Sequence, residues 1–574
     1  MRVNASALYS SLLSDLSSYI DVQLPSWAPD SSPHEVACYQ LRDSFMKKFM
    51  EEDNPSPKAC EKALKKFLAI NKRCGDWSIP LEFSQDEMLL GGLKDTLHHF
   101  WFRPDGAIVS DYREIFLRGR AGPGASISAR DTDFYTKMFD SPLSCTEGLP
   151  IVWARCTSMI GLWNEAETHR LLLHGVNVVG NSNYSFVNKT TTIARGICTE
   201  PSINMWMQLG MGSVLEDRLK EVFGIDLSFQ PVVNRTLARR GSFGGLSTID
   251  LESASDSLGM NMLREVLPRG FLAMLEFLRC PVTKLPSGEL VDLNMISTMG
   301  NGFTFPLQTV IFASVVKTVY QYLDIPLKRD GFVEDRNFGV FGDDIIVETR
   351  ATPLVLRLLY LLGFIVNADK TFVEGPFRES CGADYFEGVN VRGVYVKSLR
   401  TEQNLFATIN ALIRWCARFE CKLERTIALL LSGVRAPHRR LVPPDEDDSS
   451  GIKVPKCCAL ANNYRQTRSG LILYQPMTPR NWDFIVIGDC VWTYREQVRR
   501  NYNPAGLYIA FLAGGIRGHR VTLRQRVVRY TTKRRSTPNW GWFRPRPLEE
   551  LDVSTSSKRF VDACERNFLG SVFW

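Results

Sequence analysis

A chain of 574 residues with 44% hydrophobic content can bury a large core and by length divides into several domains or subdomains, which excludes a disordered tail. Its net charge of +7 is modest, but the basic residues cluster, so the expected partner is a polyanion met at particular surfaces, nucleic acid first. Fourteen Cys without a C-x-x-C pair, scattered His and no secretory signal exclude a disulfide framework and a zinc-finger pattern, and imply reduced thiols in a cytosol.

Met1 to Ile20 is broken by Ser and Asp, and Pro353 to Val366 is interrupted by Arg357, so no membrane span is expected; Asn-x-Ser/Thr at Asn4, Asn183, Asn188 and Asn234 is read as chance. Ser32-Pro33-His34-Glu35 predicts a helix start, with Val36, Leu41, Phe45 and Phe49 on roughly one face. From about Trp101 to Asn188 helical period is lacking, and loops on a mixed scaffold are expected. Within that stretch Gly122-Pro123-Gly124 lacks the Gly-Lys-Ser/Thr of a P-loop and suits a plain turn or a backbone cradle equally. Ser247 to Ser257 predicts an extended segment running into a helix, and Ser297 to Gln308 a glycine-rich loop leading into a long apolar helix through Val315 and Tyr320.

Val340-Phe341-Gly342-Asp343-Asp344-Ile345-Ile346-Val347 predicts a β-hairpin with two adjacent carboxylates at its turn. A second helical run, Glu402 to Leu431, ends at Gly433 and Pro437, and the acidic stretch Pro443 to Ser450 is expected to be a solvated loop. Arg517 to Arg546 holds ten Lys or Arg and no acid, interleaved with Tyr530, Trp540, Trp542 and Phe543. Basic charge with aromatics suits single-stranded RNA, with a solvated basic face as the alternative.

Two ionised Asp side by side repel and call for a cation, and hard oxygens suit Mg²⁺ or Mn²⁺. The tripeptide alone fits a solvated turn as well. Asp250, about ninety residues upstream, is placed to share a metal with Asp343, since two-metal phosphoryl transfer needs carboxylates from separate strands. Asp256 suits a helix start or a place near a nucleotide ribose.

The three segments, in this order, resemble motifs A, B and C of a viral RNA-dependent RNA polymerase. Asp250-Leu251 with Ser253-Ala254-Ser255-Asp256-Ser257, then Met299-Gly300-Asn301-Gly302-Phe303-Thr304-Phe305, then Gly375-Pro376-Phe377-Arg378-Glu379-Ser380-Cys381-Gly382, are similar to the replicase β subunit of single-stranded RNA bacteriophages, the levivirus or Qβ-like family. The motifs cover roughly Lys189 to Lys397.

The resemblance implies an α+β right-hand fold with an RRM-like antiparallel palm sheet. It divides the chain into an N-terminal helical extension and fingers support (1–100), fingers with a basic nucleotide-entry strand (101–245), palm (246–400), helical thumb (401–516) and a basic aromatic C-terminal region (517–574). It implies two Mg²⁺ ions, or Mn²⁺, on Asp250, Asp343, Asp344 and the Leu251 carbonyl, with Lys370 as general acid toward pyrophosphate. A motif-E hairpin would follow at Cys381 to Lys397.

Lys189 and Arg195 would guide the triphosphate, or be surface charges, and Asp256, Gly300 and Asn301 would complete the nucleotide site. Gln308 stands where many RNA polymerases carry Asn, which leaves Asn301 as a substitute in ribose selection. Arg524, Arg526, Arg529 and Trp540 are the expected RNA contacts of the C-terminal run.

The implied activity is template-directed RNA synthesis from ribonucleoside triphosphates in the cytoplasm of an infected bacterium. The implied host partners are elongation factors Tu and Ts and a small-subunit ribosomal protein. The alternatives are a mitovirus- or narnavirus-type replicase, a reverse transcriptase, or a non-catalytic RNA-binding assembly subunit.

Overall fold

The computed structural model describes residues 3–28, 30–50, 52, 54–462, 464–480, 482–487, 490–492, 497–498, 502–514, 516–517, 520–523, 528–538, 540 and 558–568. Two large apolar cores organise them. The first runs from Leu89 to Phe364 and takes in Ala505, Ile509 and Ala510; the second joins Leu8–Phe45 to residues 386–474, Trp540 and Phe560–Phe568.

At the centre of the first core lies a three-stranded antiparallel sheet in the order Gly339–Phe341, Asp344–Glu348, Leu246–Ile249. The helix Thr304–Tyr322 backs it, buried on nearly every side, as its near-continuous apolar sequence requires. Two of its side chains brace the strands: the Thr309 hydroxyl accepts from Gly342 N at 3.0 Å, and the Tyr320 hydroxyl accepts from Glu348 N at 2.8 Å while donating to Asn337 O at 2.6 Å. A second sheet, ordered Ala194–Thr199, Asn181–Asn188, Val282–Lys284, Leu290–Asp292, stands beside it. This mixed architecture, an antiparallel sheet backed by a long buried helix, agrees with the α+β fold that the resemblance implies.

The helix Pro33–Phe45 begins at Ser32 with a capping box to Glu35, and Val36, Leu41 and Phe45 are all buried. Several expectations are corrected. The 101–188 segment is not mainly loop: it forms the helices Tyr112–Arg118, Phe134–Phe139, Leu149–Ser158 and Gly161–His174. These are short, so periodicity had few turns in which to show. The glycine-rich turn there wraps the buried Lys137 ammonium, which donates to Gly122 O at 2.7 Å and to Gly124 O. That turn's carbonyls are therefore committed within the protein.

The run from Glu402 is two helices, Glu402–Phe419 and Glu424–Ser432, because Glu420 takes a left-handed conformation with φ of 56°. The motif-E hairpin starts earlier than expected, pairing Phe377–Ser380 with Ala383–Phe386 about a turn at Cys381-Gly382. The N-terminal helices Ala5–Leu16 and Pro33–Phe45 share the second core with Glu402–Phe419 and Glu424–Ser432, while Pro57–Asp76 packs on Ala194–Thr199. Pro504–Leu512, expected in the thumb, packs on Gly161–His174 and Phe134–Phe139.

The acidic stretch 443–450 is bonded into the thumb. Glu446, 8% exposed, accepts from Arg535 at 2.6 Å and from the Tyr474 hydroxyl at 2.7 Å. Asp448 accepts from both Arg414 guanidinium nitrogens at 2.8 and 2.7 Å and pairs with Lys453 at 2.6 Å. Cations distant in sequence compensate its charge, which a local count of acids cannot register.

Asp86 joins two helices that frame the palm. Its carboxylate accepts the backbone N–H of Glu82 and Phe83, both at 3.0 Å, at the start of Ser84–Trp101. It also takes two hydrogen bonds from Arg357 of Thr352–Leu361, at 2.9 and 2.6 Å. The Arg357 hydrogen bonds, followed by those from the two N–H groups against the opposing effect of burial, hold its carboxyl well below the usual carboxylate range. A depressed folded-state pKa gives stability that is complete above the unfolded value of about 4 and is lost as pH falls through the folded value. Asp86→Asn should therefore lower the melting temperature at neutral pH, and its gap from wild type should shrink only below about pH 4, as read by thermal melts across a pH series.

Candidate active site

Gly342 and Asp343 form a two-residue hairpin turn between paired Phe341 and Asp344. Gly342 has φ of 61°, and a Cβ there would lie 2.4 Å from the Phe305 ring and 2.6 Å from Gln308 Nε2. Both the dihedral and the space require glycine. Across the sheet Ile345 faces Ile249, so one step further the register sets Asp344 beside Asp250 at the strand ends. The chain thus brings the three acids to one edge of the sheet.

A cavity of about 570 Å³ opens at that edge. Asp250, Leu251, Asp256 and Asp343 line it together with Lys66, Lys189, Arg195 and Lys370, so carboxylates face cations drawn from three other segments. Lys189 and Arg195 sit at the tip of the hairpin Asn181–Asn188/Ala194–Thr199, where Val187 pairs with Arg195. Both are exposed. Partial desolvation at the cavity wall, followed by the like charge of Arg195, holds the Lys189 ammonium below its ordinary pKa.

Asp250 is half-buried, and Asn367 holds it twice: the Asn367 N–H donates to Asp250 O at 2.9 Å and the Asn367 amide to Asp250 Oδ2 at 2.7 Å. Burial pushes its carboxyl up, against the opposing charge of Lys370 and the Asn367 hydrogen bond. Asp344 does not line the cavity; its Oδ2 accepts Cys381 N–H at 3.3 Å and its Oδ1 the Ser380 hydroxyl at 3.5 Å. Burial and the charges of Asp343 and Asp250 push it up to about 6. Hard oxygen donors under mutual repulsion are a donor set that a divalent cation relieves, so these residues fit one.

Lys370 donates to Glu379 Oε1 at 3.4 Å. Burial works against its charge, but Glu379 and Asp250 outweigh burial and hold its pKa above the ordinary value. Arg378, 1% exposed, fixes the segment between these two residues by donating to the carbonyls of Leu246, Val373, Glu374, Gly375 and Phe377. Asp256 lines the cavity, accepts Met299 N–H at 3.2 Å, and is pushed up to about 6 by burial.

Other expected residues fall elsewhere. Neither Gly300 nor Asn301 lines the cavity. Gly300, φ 129°, presses on the neighbouring sheet, where a Cβ would stand 2.1 Å from Cys198 O. Asn301 is 8% exposed and its Oδ1 accepts Phe303 N–H at 3.0 Å, which shapes the entry to Thr304–Tyr322. Gln308, 2% exposed, is reached by the Ser255 hydroxyl at 3.3 Å, and so links the motif-A turn to the motif-B helix.

Trp540 is corrected outright: it is 1% exposed, its indole N–H donates to Val454 O at 2.9 Å, and Tyr464 and Tyr474 pack edge-on against it. No face is left for a base. Arg524 and Arg526 lie outside the described residues, while Arg529 is exposed.

Lys66, Glu379 and Asn367 join the site without being marked as site residues by the sequence motifs. Asn367 stands three residues before Lys370 and was within reach of a motif argument; Lys66 lies on the distant helix Pro57–Asp76 and carries no local signal.

A family model described as RNA replicase, beta-chain, matches residues 3–537. The RNA-directed RNA polymerase beta chain of Enterobacteria phage fr is 33% identical over 422 residues, 70% of this chain and 73% of that one. The RNA-directed RNA polymerase subunit beta of Escherichia virus Qbeta is 39% identical over 242 residues, 41% of this chain and 39% of that one. The Escherichia phage MS2 beta chain is 40% identical over 253 residues, 44% of this chain and 43% of that one. The matched segment therefore spans about two fifths of the Qbeta and MS2 chains, against nearly three quarters of the fr chain. With a family model matching residues 3–537, and with Asp250, Asp256 and Asp343 lining one cavity, the chain belongs to the RNA replicase beta-chain family.

Proposed function

We propose that this chain synthesises RNA on an RNA template from ribonucleoside triphosphates, as the printed names of its relatives describe for them. The observation that carries the reading is that Asp250, Asp343, Lys370, Lys189 and Arg195, spread over 181 residues, line one cavity. Asp250, Asp343, Asp344 and the Leu251 carbonyl would hold two Mg²⁺ ions, or Mn²⁺, which when bound supply Lewis acidity to the attacking 3′-hydroxyl and the leaving phosphate oxygens.

Lys189 and Arg195 orient the triphosphate from the hairpin tip, with their positive charge facing its oxygens. As the 3′-hydroxyl gives up its proton to solvent and its oxygen bonds to the α-phosphorus, the bond from the α-phosphorus to the bridging oxygen breaks, and Lys370 Nζ hands a proton to the departing pyrophosphate. Asn367 keeps Asp250 in place, and Cys381 N–H does the same for Asp344. Ser255 and Asp256, which line the cavity, would read the ribose, with the buried Gln308 accepting from the Ser255 hydroxyl behind them in place of the role first given to Asn301.

The match of an RNA replicase family model over residues 3–537 disfavours the reverse-transcriptase alternative. The beta-chain name points to a complex with other subunits, and elongation factors Tu and Ts and a small-subunit ribosomal protein are the proposed ones, in the cytoplasm of an infected bacterium. Among the described residues no helix is long and apolar enough to cross a membrane.

Nucleotide incorporation by the purified chain on an RNA template, with and without bacterial extract and with and without Mg²⁺, tests the proposal. RNA binding without incorporation under every condition would favour a non-catalytic subunit. Arg524, Arg526 and Arg529 remain proposed RNA contacts, and their joint replacement by Ala should make the log–log salt slope of RNA affinity shallower by roughly 0.7 per lost contact. An unchanged slope would leave the run as a solvated or partner-facing surface.

A further inference from the structure

Far from the cavity, the second core gathers a set of metal-ligand side chains. His34 lies in the first turn of Pro33–Phe45, and Cys38 lies one turn on, at the i, i+4 spacing that sets both on one face. Cys421 follows left-handed Glu420 in the link between Glu402–Phe419 and Glu424–Ser432, and its Sγ lies 3.2 Å from His34 Nε2. The imidazole nitrogen and both sulfurs all lie within 4.8 Å of one another. Both thiols are fully buried, while His34 is half-buried and keeps one side of the set near water. Cys416 stays outside it, turned toward Asn567 Oδ1 at 4.0 Å.

Two thiols and an imidazole form a soft donor set, which selects zinc over the hard cations suited to the catalytic carboxylates. A tetrahedral ion with Zn–S of about 2.3 Å and Zn–N of about 2.0–2.1 Å needs ligand atoms roughly 3.5–3.8 Å apart, a spacing this cluster reaches by small side-chain rotations. We propose that His34, Cys38 and Cys421 hold one zinc ion with water in the fourth position, which clamps the N-terminal helix to the thumb across almost four hundred residues of chain. The sequence shows no zinc pattern because the third ligand comes from the other end of the second core.

The test uses the purified full chain, kept reduced, loaded with zinc and freed of excess by gel filtration. About one zinc per chain is expected by mass spectrometry, falling to a small fraction of that in Cys38→Ser and His34→Phe and unchanged in Cys457→Ser, whose thiol is exposed. Cobalt loading should give thiolate-to-cobalt charge-transfer absorption in wild type and in Asp343→Asn, which separates this site from any ion on the catalytic acids.

Since Cys38 is buried in the core, the half-buried His34 supplies the decisive pair: His34→Cys restores a third ligand and should keep the cobalt band, whereas His34→Phe should lose it. A zinc-loaded wild type that emerges metal-free overturns the proposal. A cobalt band that persists in Cys38→Ser, or a Cys38–Cys421 disulfide found by mass in the reduced chain, would do the same.

Discussion

Asp343→Asn should reduce nucleotide incorporation by on the order of 10³-fold or more while leaving RNA affinity within about twofold of wild type, because it removes a carboxylate donor but no basic contact. The position allows this separation. Asp343 sits at the tip of a two-residue turn whose geometry depends on Gly342 and on Thr309 behind it, so an isosteric amide leaves the hairpin intact. Asp250→Asn should behave alike, and the double variant should cost little more than either single change, since groups that act as one unit are not additive. Steady-state incorporation measured beside filter-binding affinity checks all three. Near-wild-type synthesis by Asp343→Asn would remove the catalytic assignment, and full additivity would mean that the two acids do not serve one site.

Lys370→Leu should slow single-turnover incorporation by about 10²–10⁴-fold with little change in nucleotide affinity, the range expected for loss of a positioned proton donor. The charges of Glu379 and Asp250 outweigh partial desolvation and hold the ammonium protonated, so it is ready to donate when the pyrophosphate oxygen gains negative charge. Lys370→Arg separates donation from charge. Guanidinium keeps the positive charge but does not give up its proton, so this variant should bind nucleotide normally and remain slow. A loss confined to affinity in the Leu variant would instead make Lys370 a triphosphate-positioning residue beside Lys189 and Arg195.

The chemistry of this site was legible in the sequence wherever it depends on neighbours in the chain. Gly342-Asp343-Asp344 between apolar runs, with β-branched residues downstream, specifies a hairpin with acids at its turn, and the structure supplies the reason for the glycine: a positive φ and no room for a Cβ. Ser32-Pro33 and Glu35 specify a helix start, and they form a capping box. The order of the three motif segments sufficed to place Asp250 at the same sheet edge as Asp343. Gly300 and Asn301 show the limit of motif reasoning, because the same residues that suit a nucleotide also suit close packing on Cys198 and the start of a helix.

What the sequence by itself determined is the set of local elements and the identity of the motif acids, since turn dihedrals, caps and alternation act over a few residues. Tertiary structure alone decided which charges and rings are free to meet a ligand. Trp540 in a basic run reads as a stacking platform, yet Val454, Tyr464 and Tyr474 enclose it. Glu446 in an acidic run reads as solvated, yet Arg535 pairs with it 89 residues away. Lys66 and Glu379 join the site, and His34, Cys38 and Cys421 come together, only because packing closes loops of tens to hundreds of residues. Solvation and pairing are properties of that packed surface, and residues so far apart leave no periodic trace along the chain.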